Sequence, residues 1–199
     1  MFDLGEKVMN ATRSLAVSEP DWQPTLSGKL VRLRPMTEND FDSLYAVASD
    51  PLIWEQHPDR DRNTIERFRH FFRSGMKSKG ALAISDHVTG QVIGSSRFTS
   101  YDPAKSKVEV GYTFLARSHW GGRTNRELKT LMLDHAFQFV DAVCFFVGES
   151  NTRSQRAMGK LGAVEVDRVT TVQPEGNTRA SVVYEIPKTD WSQLLMQRG

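Results

Sequence analysis

Val108-Glu109-Val110-Gly111-Tyr112-Thr113-Phe114-Leu115 alternates in the two-residue rhythm of a strand, and the segments behind it decide the fold. A loop of small and basic residues runs from Ala116 to Asn125. Behind it Leu128, Leu131, Met132, Ala136, Phe139 and Val140 hold one stripe, which predicts a helix over Arg126–Val140. The apolar run Val143–Val147 then reads as a buried strand. A strand, a helix and a buried strand in that order demand a parallel crossover.

Outward from that unit the signals are shorter. A helix starts near Ser150-Asn151 and stops at Gly162, and strand patterns at Val164–Val172 and Ser181–Ile186 flank a turn at Pro174–Asn177. Thr189 to Gln197 reads as a closing helix. Upstream, Ala81–Ser85 and Gln91–Phe98 are joined by a hairpin-length turn, so they and the 108–115 strand form an antiparallel meander. Two helices precede it. One comes after Thr37-Glu38-Asn39-Asp40 and ends at Asp50-Pro51; the other runs from Thr64 to about Met76 with Ile65, Phe68, Phe71 and Phe72 inward. Lys29–Arg34 is the opening strand, ended by Pro35. Residues 1–28, punctuated by Pro20, Pro24 and Gly28, read as a poorly anchored N-terminal extension, or as a short docked helix. The expected fold is α/β: a mixed, mostly antiparallel sheet with helices on both faces, forming one domain over residues 29–199.

Composition narrows the classes. At 199 residues the chain is near the usual ~150 residues of one domain. With 39% hydrophobic and 25% charged residues, 14 glycines and 8 prolines, collagen-like and low-complexity chains are excluded. A net charge of +2 gives no field to attract nucleic acid. The single cysteine, Cys144, forms no internal disulfide. The longest apolar run, Ala142 to Val147, is far too short to span a membrane. Asp3 and Glu6 argue against a signal peptide. These features predict a cytoplasmic protein without membrane or nucleic-acid partners, and leave a homodimer open.

The 116–126 loop meets a helix start, where free backbone N–H groups favour an anion. Gly121 and Gly122 allow close backbone approach, and Arg117, Arg123 and Arg126 add charge. This signals a phosphate or pyrophosphate site, without a Walker loop or a dinucleotide fingerprint. Alone it is equally compatible with a phosphate-binding module of another fold, or with a solvated basic face.

Taken together, Leu30-Val31-Arg32-Leu33-Arg34-Pro35, Val108–Tyr112 with His119-Trp120-Gly121-Gly122, and Asn151-Thr152-Arg153-Ser154 closing at Lys160-Leu161-Gly162 make the chain similar to another group of proteins. It resembles the GNAT superfamily of acetyl-CoA-dependent N-acetyltransferases, in its RimJ/RimL-type branch, over most of residues 29–190. The resemblance implies acetyl-CoA as co-substrate and a primary amine as acceptor (a protein N-terminus or a small molecule). It implies that the pantetheine arm meets the backbone at Phe114 and Leu115. The pyrophosphate loop falls on Trp120, Gly121, Gly122, Arg123, Thr124 and Asn125, with Arg117 and Arg126 beside it. The family's two glycine positions are here Arg123 and Asn125. Asn151 and Ser154 match the next helix's motif, while its tyrosine falls on Met158. Glu109 stands where the family often carries a glutamate, and is the candidate base for the acceptor amine.

Plainer roles stand beside these. Glu109 would also serve as a salt-bridged strand residue, Ser154 as a helix-lining residue and Asn151 as a helix cap. His135, on the main apolar stripe, reads as a satisfied core-edge histidine, His119 as a surface one and Cys144 as packing. Trp54, in a polar loop over Trp54–Asn63, is the candidate on the acceptor side, whereas Phe68 and Phe72 read as core. The five histidines have no metal-ligand spacing. An acyl-CoA sensor with a degenerate site is the alternative to an enzyme, and Arg123, Asn125 and Met158 favour it.

Overall fold

The computed structural model describes residues 19–172 and 178–196. Eight strands form one sheet: β1 (Leu26–Ser27), β2 (Val31–Pro35), β3 (Ala81–Asp86), β4 (Val92–Asp102), β5 (Lys107–Leu115), β6 (Ala142–Gly148), β7 (Val164–Val172) and β8 (Thr178–Pro187). Their spatial order is β1-β2-β3-β4-β5-β6-β8-β7. Every pairing is antiparallel except β5 with β6, as the crossover requires. Five α-helices accompany them: α1 (Phe41–Ala48), α2 (Ile65–Ser78), α3 (Arg123–Ala136), α4 (Thr152–Leu161) and α5 (Lys188–Met196).

Each face of the sheet has its own apolar cluster. Leu128, Met132, Leu133 and Ala136 of α3 join Met158, Leu161 and Trp191 over Val31, Leu33, Val108 and Val110. On the other face Leu44 and Ala48 of α1 and Phe68, Phe71 and Phe72 of α2 close over Phe114 and Ala81. Ile65, expected inward, is exposed: it shares a face with Phe68 and Phe72 but is the first residue of α2, at the rim of that face.

Several boundaries move. The crossover helix starts at Arg123 rather than Arg126 and ends at Ala136, and residues 137–140 turn out of it while Phe137 and Val140 stay in the core. The 174–177 turn lies outside the described residues. Residues 19–28 are anchored, contrary to the expectation of a loose extension up to 28. Trp22 packs 5.2–5.8 Å from the rings of Phe98, Tyr101 and Phe139. The His135 ring nitrogen lies 2.6 Å from the Asp21 carbonyl, which satisfies that core-edge histidine. Glu127 of α3 accepts the backbone N–H groups of Lys29, Leu30 and Val31 at 2.9, 2.6 and 3.0 Å.

Candidate active site

The parallel ladder of β5 and β6 holds only for Lys107–Glu109 against Ala142–Cys144. Beyond it β5 stays with β4 as far as Leu115, while β6 stays with β8 as far as Gly148, so the sheet splits. A β-bulge marks the split. Ser95 and Arg97 pair with Phe114 and Gly111, so Ser96 opposes both Tyr112 and Thr113. Tyr112 takes a left-handed backbone, φ 54°, to make it. Past the bulge β4 must lie very close to β5, and only a glycine permits this: a Cβ at Gly94 would stand 2.0 Å from the Phe114 carbonyl oxygen.

A cavity of about 980 Å³ fills the split. Phe114, Leu115, Trp120, Gly121, Gly122, Arg123, Asn125, Arg126, Asn151 and Ser154, read as cofactor residues from sequence, line it together. Thr124, Arg117 and Glu109 are not on its wall. Arg117 instead donates from Nε to Asp50 at 2.5 Å, which ties the loop to the end of α1. The Phe114 carbonyl faces β4 and the Ala116 N–H donates to Ile93, so strand alternation turns the N–H and carbonyl of Leu115 into the split. The Leu115 carbonyl already accepts the Trp120 indole N–H at 2.9 Å.

The mouth of the cavity suits an anion. Gly121 adopts φ 70°, and nothing lies within 4 Å of the Cβ it lacks. Gly122 starts α3 without a side-chain cap, so the first amides of the helix face the loop. Arg123, Arg126, Lys129, Arg153, Arg156 and Lys160 stand on the wall against one carboxylate, Glu55. Opposite the loop, Asn151 caps α4, its Oδ1 accepting the Ser154 N–H at 3.1 Å, which fills the plainer role foreseen for it.

Residues 53–57 close another side of the cavity, and all but the first belong to the loop read as facing the acceptor. Gln56 Oε1 accepts the Arg153 N–H at 3.1 Å, Arg153 donates to the Ile53 carbonyl at 2.9 Å, and its guanidinium lies 4.0 Å from the Trp120 ring centre. Trp54 is buried in the core and also lines the cavity, its indole N–H donating to Ala48 at 2.7 Å. His57 is pulled down to about 3, by burial first and then by Arg62, so it is neutral near pH 7. His119, read as a surface residue, is half-buried on the wall.

Glu109 lies beside the split without opening onto it. Its carboxylate accepts the Ser100 hydroxyl at 3.0 Å, and burial raises its pKa above the ordinary glutamate value, against the pull of Ser100 and Arg97. Cys144 faces it across the last rung of the ladder; burial foremost pushes its thiol up to about 11.

Sequence reading missed Lys129. It is buried, lines the cavity and donates from Nζ to Thr113 Oγ1 at 2.7 Å. The signal was its place between Leu128 and Met132 on the inward arc of α3, where a solvated lysine does not belong. Among the described residues no group of three or more His, Cys, Asp or Glu is arranged for a metal, and no helix is long and apolar enough to cross a membrane.

The family model for an acetyltransferase (GNAT) domain matches residues 31–164, a span that holds the split sheet, the loop and both flanking helices. The chain belongs to the GNAT acetyltransferase family. It is accordingly an N-acetyltransferase, a class that carries acetyl from acetyl-CoA to an amine. A T. thermophilus protein described as an acetyltransferase is 28% identical, with 87% of this chain and 94% of that one covered at a TM-score of 0.72. A GCN5-related N-acetyltransferase from Brucella melitensis shares the fold at 20% identity, covering 86% and 82% with a TM-score of 0.76. Spermidine N-acetyltransferase from Vibrio cholerae, in complex with CoA and spermine, shares it at 14%, covering 83% and 99% with a TM-score of 0.64. Comparison with curated proteins finds no match.

Proposed function

We propose that this GNAT protein, of the RimJ/RimL-type branch, binds acetyl-CoA in the split between β5 and β6 and passes its acetyl group directly to a primary amine in a ternary complex. The observation that carries this reading is the split itself, with an uncapped helix start and a basic wall at its mouth. The residues fit the donor: Gly121, Gly122 and the first amides of α3 suit a pyrophosphate, with Arg123, Arg126 and Ser154 beside them. Leu115 offers its N–H to the pantetheine or to the oxyanion of the tetrahedral intermediate.

Direct transfer follows from the nucleophiles at hand. The only cysteine has its thiol raised to about 11, which keeps it protonated near pH 7 and unfit to carry an acyl group. The amine must lose a proton before attack. Glu109, raised by burial, is the proposed base, and it acts through water because it lies off the cavity wall. The test is thiol release from acetyl-CoA with a panel of protein N-termini, polyamines and small amines, alongside calorimetric titration of CoA. Micromolar CoA binding with amine-dependent release is expected. Binding without release for any amine would instead support an acyl-CoA sensor.

A further inference from the structure

Lys129 has no part in that chemistry, yet it holds a central place in the split. Its side chain is only 4% exposed, and its Nζ lies 5.6 Å from the Phe145 ring centre, between β5 and β6. Its hydrogen-bond partner is the bulge residue Thr113, whose Oγ1 is 2.7 Å from Ser96 Oγ. An ammonium ion buried against one hydroxyl and one aromatic face is a costly thing to keep, and a ligand that needs a proton is one reason to keep it. A second observation concerns Met158. It is a buried thioether of α4 in the apolar cluster, and it has no proton to give.

We propose that Lys129 is a catalytic residue of the transfer, an acid at the base of the split that protonates the sulfur leaving the acyl donor. This rests on the reading of the split as the acetyl-CoA site. The acceptor nitrogen's lone pair forms the new C–N bond as the C–S bond breaks, and that bond's electron pair stays on sulfur. Lys129 Nζ hands one proton to the sulfur. The surplus proton of the acceptor nitrogen leaves to water, and solvent reprotonates Lys129 before the next turnover.

The energetics favour that direction. Burial alone brings Lys129 down to about 7, whereas a simple thiol titrates near 8.5, so the proton moves downhill. On β5 and β6 the groups facing Nζ are Thr113 and Phe145, neither of which titrates near neutrality. Arg123 and Arg126 on its own helix and Arg153, Arg156 and Lys160 on α4 are the other basic side chains of the wall. Across the cavity Glu55 faces Arg153, and His57 is already neutral; His119 stands on the loop side of the wall.

The experiment compares wild type with Lys129→Met and Lys129→Arg in the full chain. It measures CoA affinity by calorimetry and kcat for thiol release from pH 5.5 to 9.5, with the best amine saturating. We expect Lys129→Met to lose at least about 100-fold in kcat while CoA affinity stays within about threefold. We also expect the alkaline fall in wild-type kcat to vanish in both variants. Lys129→Arg keeps the charge but cannot release a proton in this range, and so decides the matter if the methionine chain fails to fold. A methionine variant within about threefold of wild-type kcat overturns the proposal. So does a loss of kcat matched by an equal loss of CoA affinity, or an alkaline fall unchanged in the arginine variant. A wild-type chain that binds no CoA overturns the site reading itself, and Lys129 with it.

Discussion

Lys129 makes the connection between stability and function measurable at one residue. The unfolded chain holds that proton up to the ordinary lysine value of 10.5, whereas the folded chain releases it at about 7. Between those values the unfolded state binds more protons, so this group makes folding more favourable as pH rises from about 7 to 10.5, and its full penalty stands below 7. Lys129→Met should therefore melt above wild type at pH 6, on the order of 5 °C higher, with the gap closing by pH 10. Equal melting points at both pH values would show that the ammonium is not buried as described. Asn151→Ala works the other way. It removes the acceptor for the Ser154 N–H and should cost about 1 kcal/mol in urea unfolding, the value of a helix cap. If its CoA affinity falls well beyond what that loss explains, Asn151 is also a ligand.

At the scale of elements, the split depends on how closely β4 can approach β5. Gly94→Ala would place a Cβ on the Phe114 carbonyl oxygen, where only backbone movement relieves the contact. We expect a loss of roughly 1–3 kcal/mol or more in denaturant unfolding, and weakened CoA binding, since the strand that moves carries Leu115. The sequence shows these elements unevenly. The crossover unit is legible because period-two alternation over Val108–Leu115 and a 3.6-period stripe behind Arg126 are strong, separate signals. The bulge is not legible, because tyrosine does not announce a left-handed backbone and the irregularity exists only relative to Ser96 on the neighbouring strand. The loop residues came from the glycines and arginines themselves. Lys129 stayed hidden because residue type alone assigns lysine to solvent, and only the helix phase fixed by packing turns it inward. The Arg117 contact was hidden for the converse reason: its partner, Asp50, is distant in sequence.

At the scale of the whole molecule, the segment before the first long strand is fastened to the same helix that starts at the basic mouth of the cavity. Glu127 accepts three consecutive backbone amides from Lys29–Val31, and His135 near the end of α3 holds the Asp21 carbonyl. A carboxylate meets that cluster well, since both of its oxygens accept and hydrogen bonds to a charge are stronger than neutral ones. Glu127→Gln leaves a single accepting oxygen and turns an NH₂ group toward amide donors. The variant should lose roughly 1.5–3 kcal/mol in urea unfolding. It should also loosen Trp22 from Phe98 and Phe139, seen as greater quenching of tryptophan emission by acrylamide under native conditions. Because α3 carries both Arg123 and Lys129, the same change should weaken CoA binding without touching any cavity-lining group. A variant with wild-type unfolding and quenching would show that Glu127 caps exposed amides without fastening the segment. A variant destabilised as expected, yet with unchanged CoA affinity, would show that β5 and the core hold α3 in place on their own.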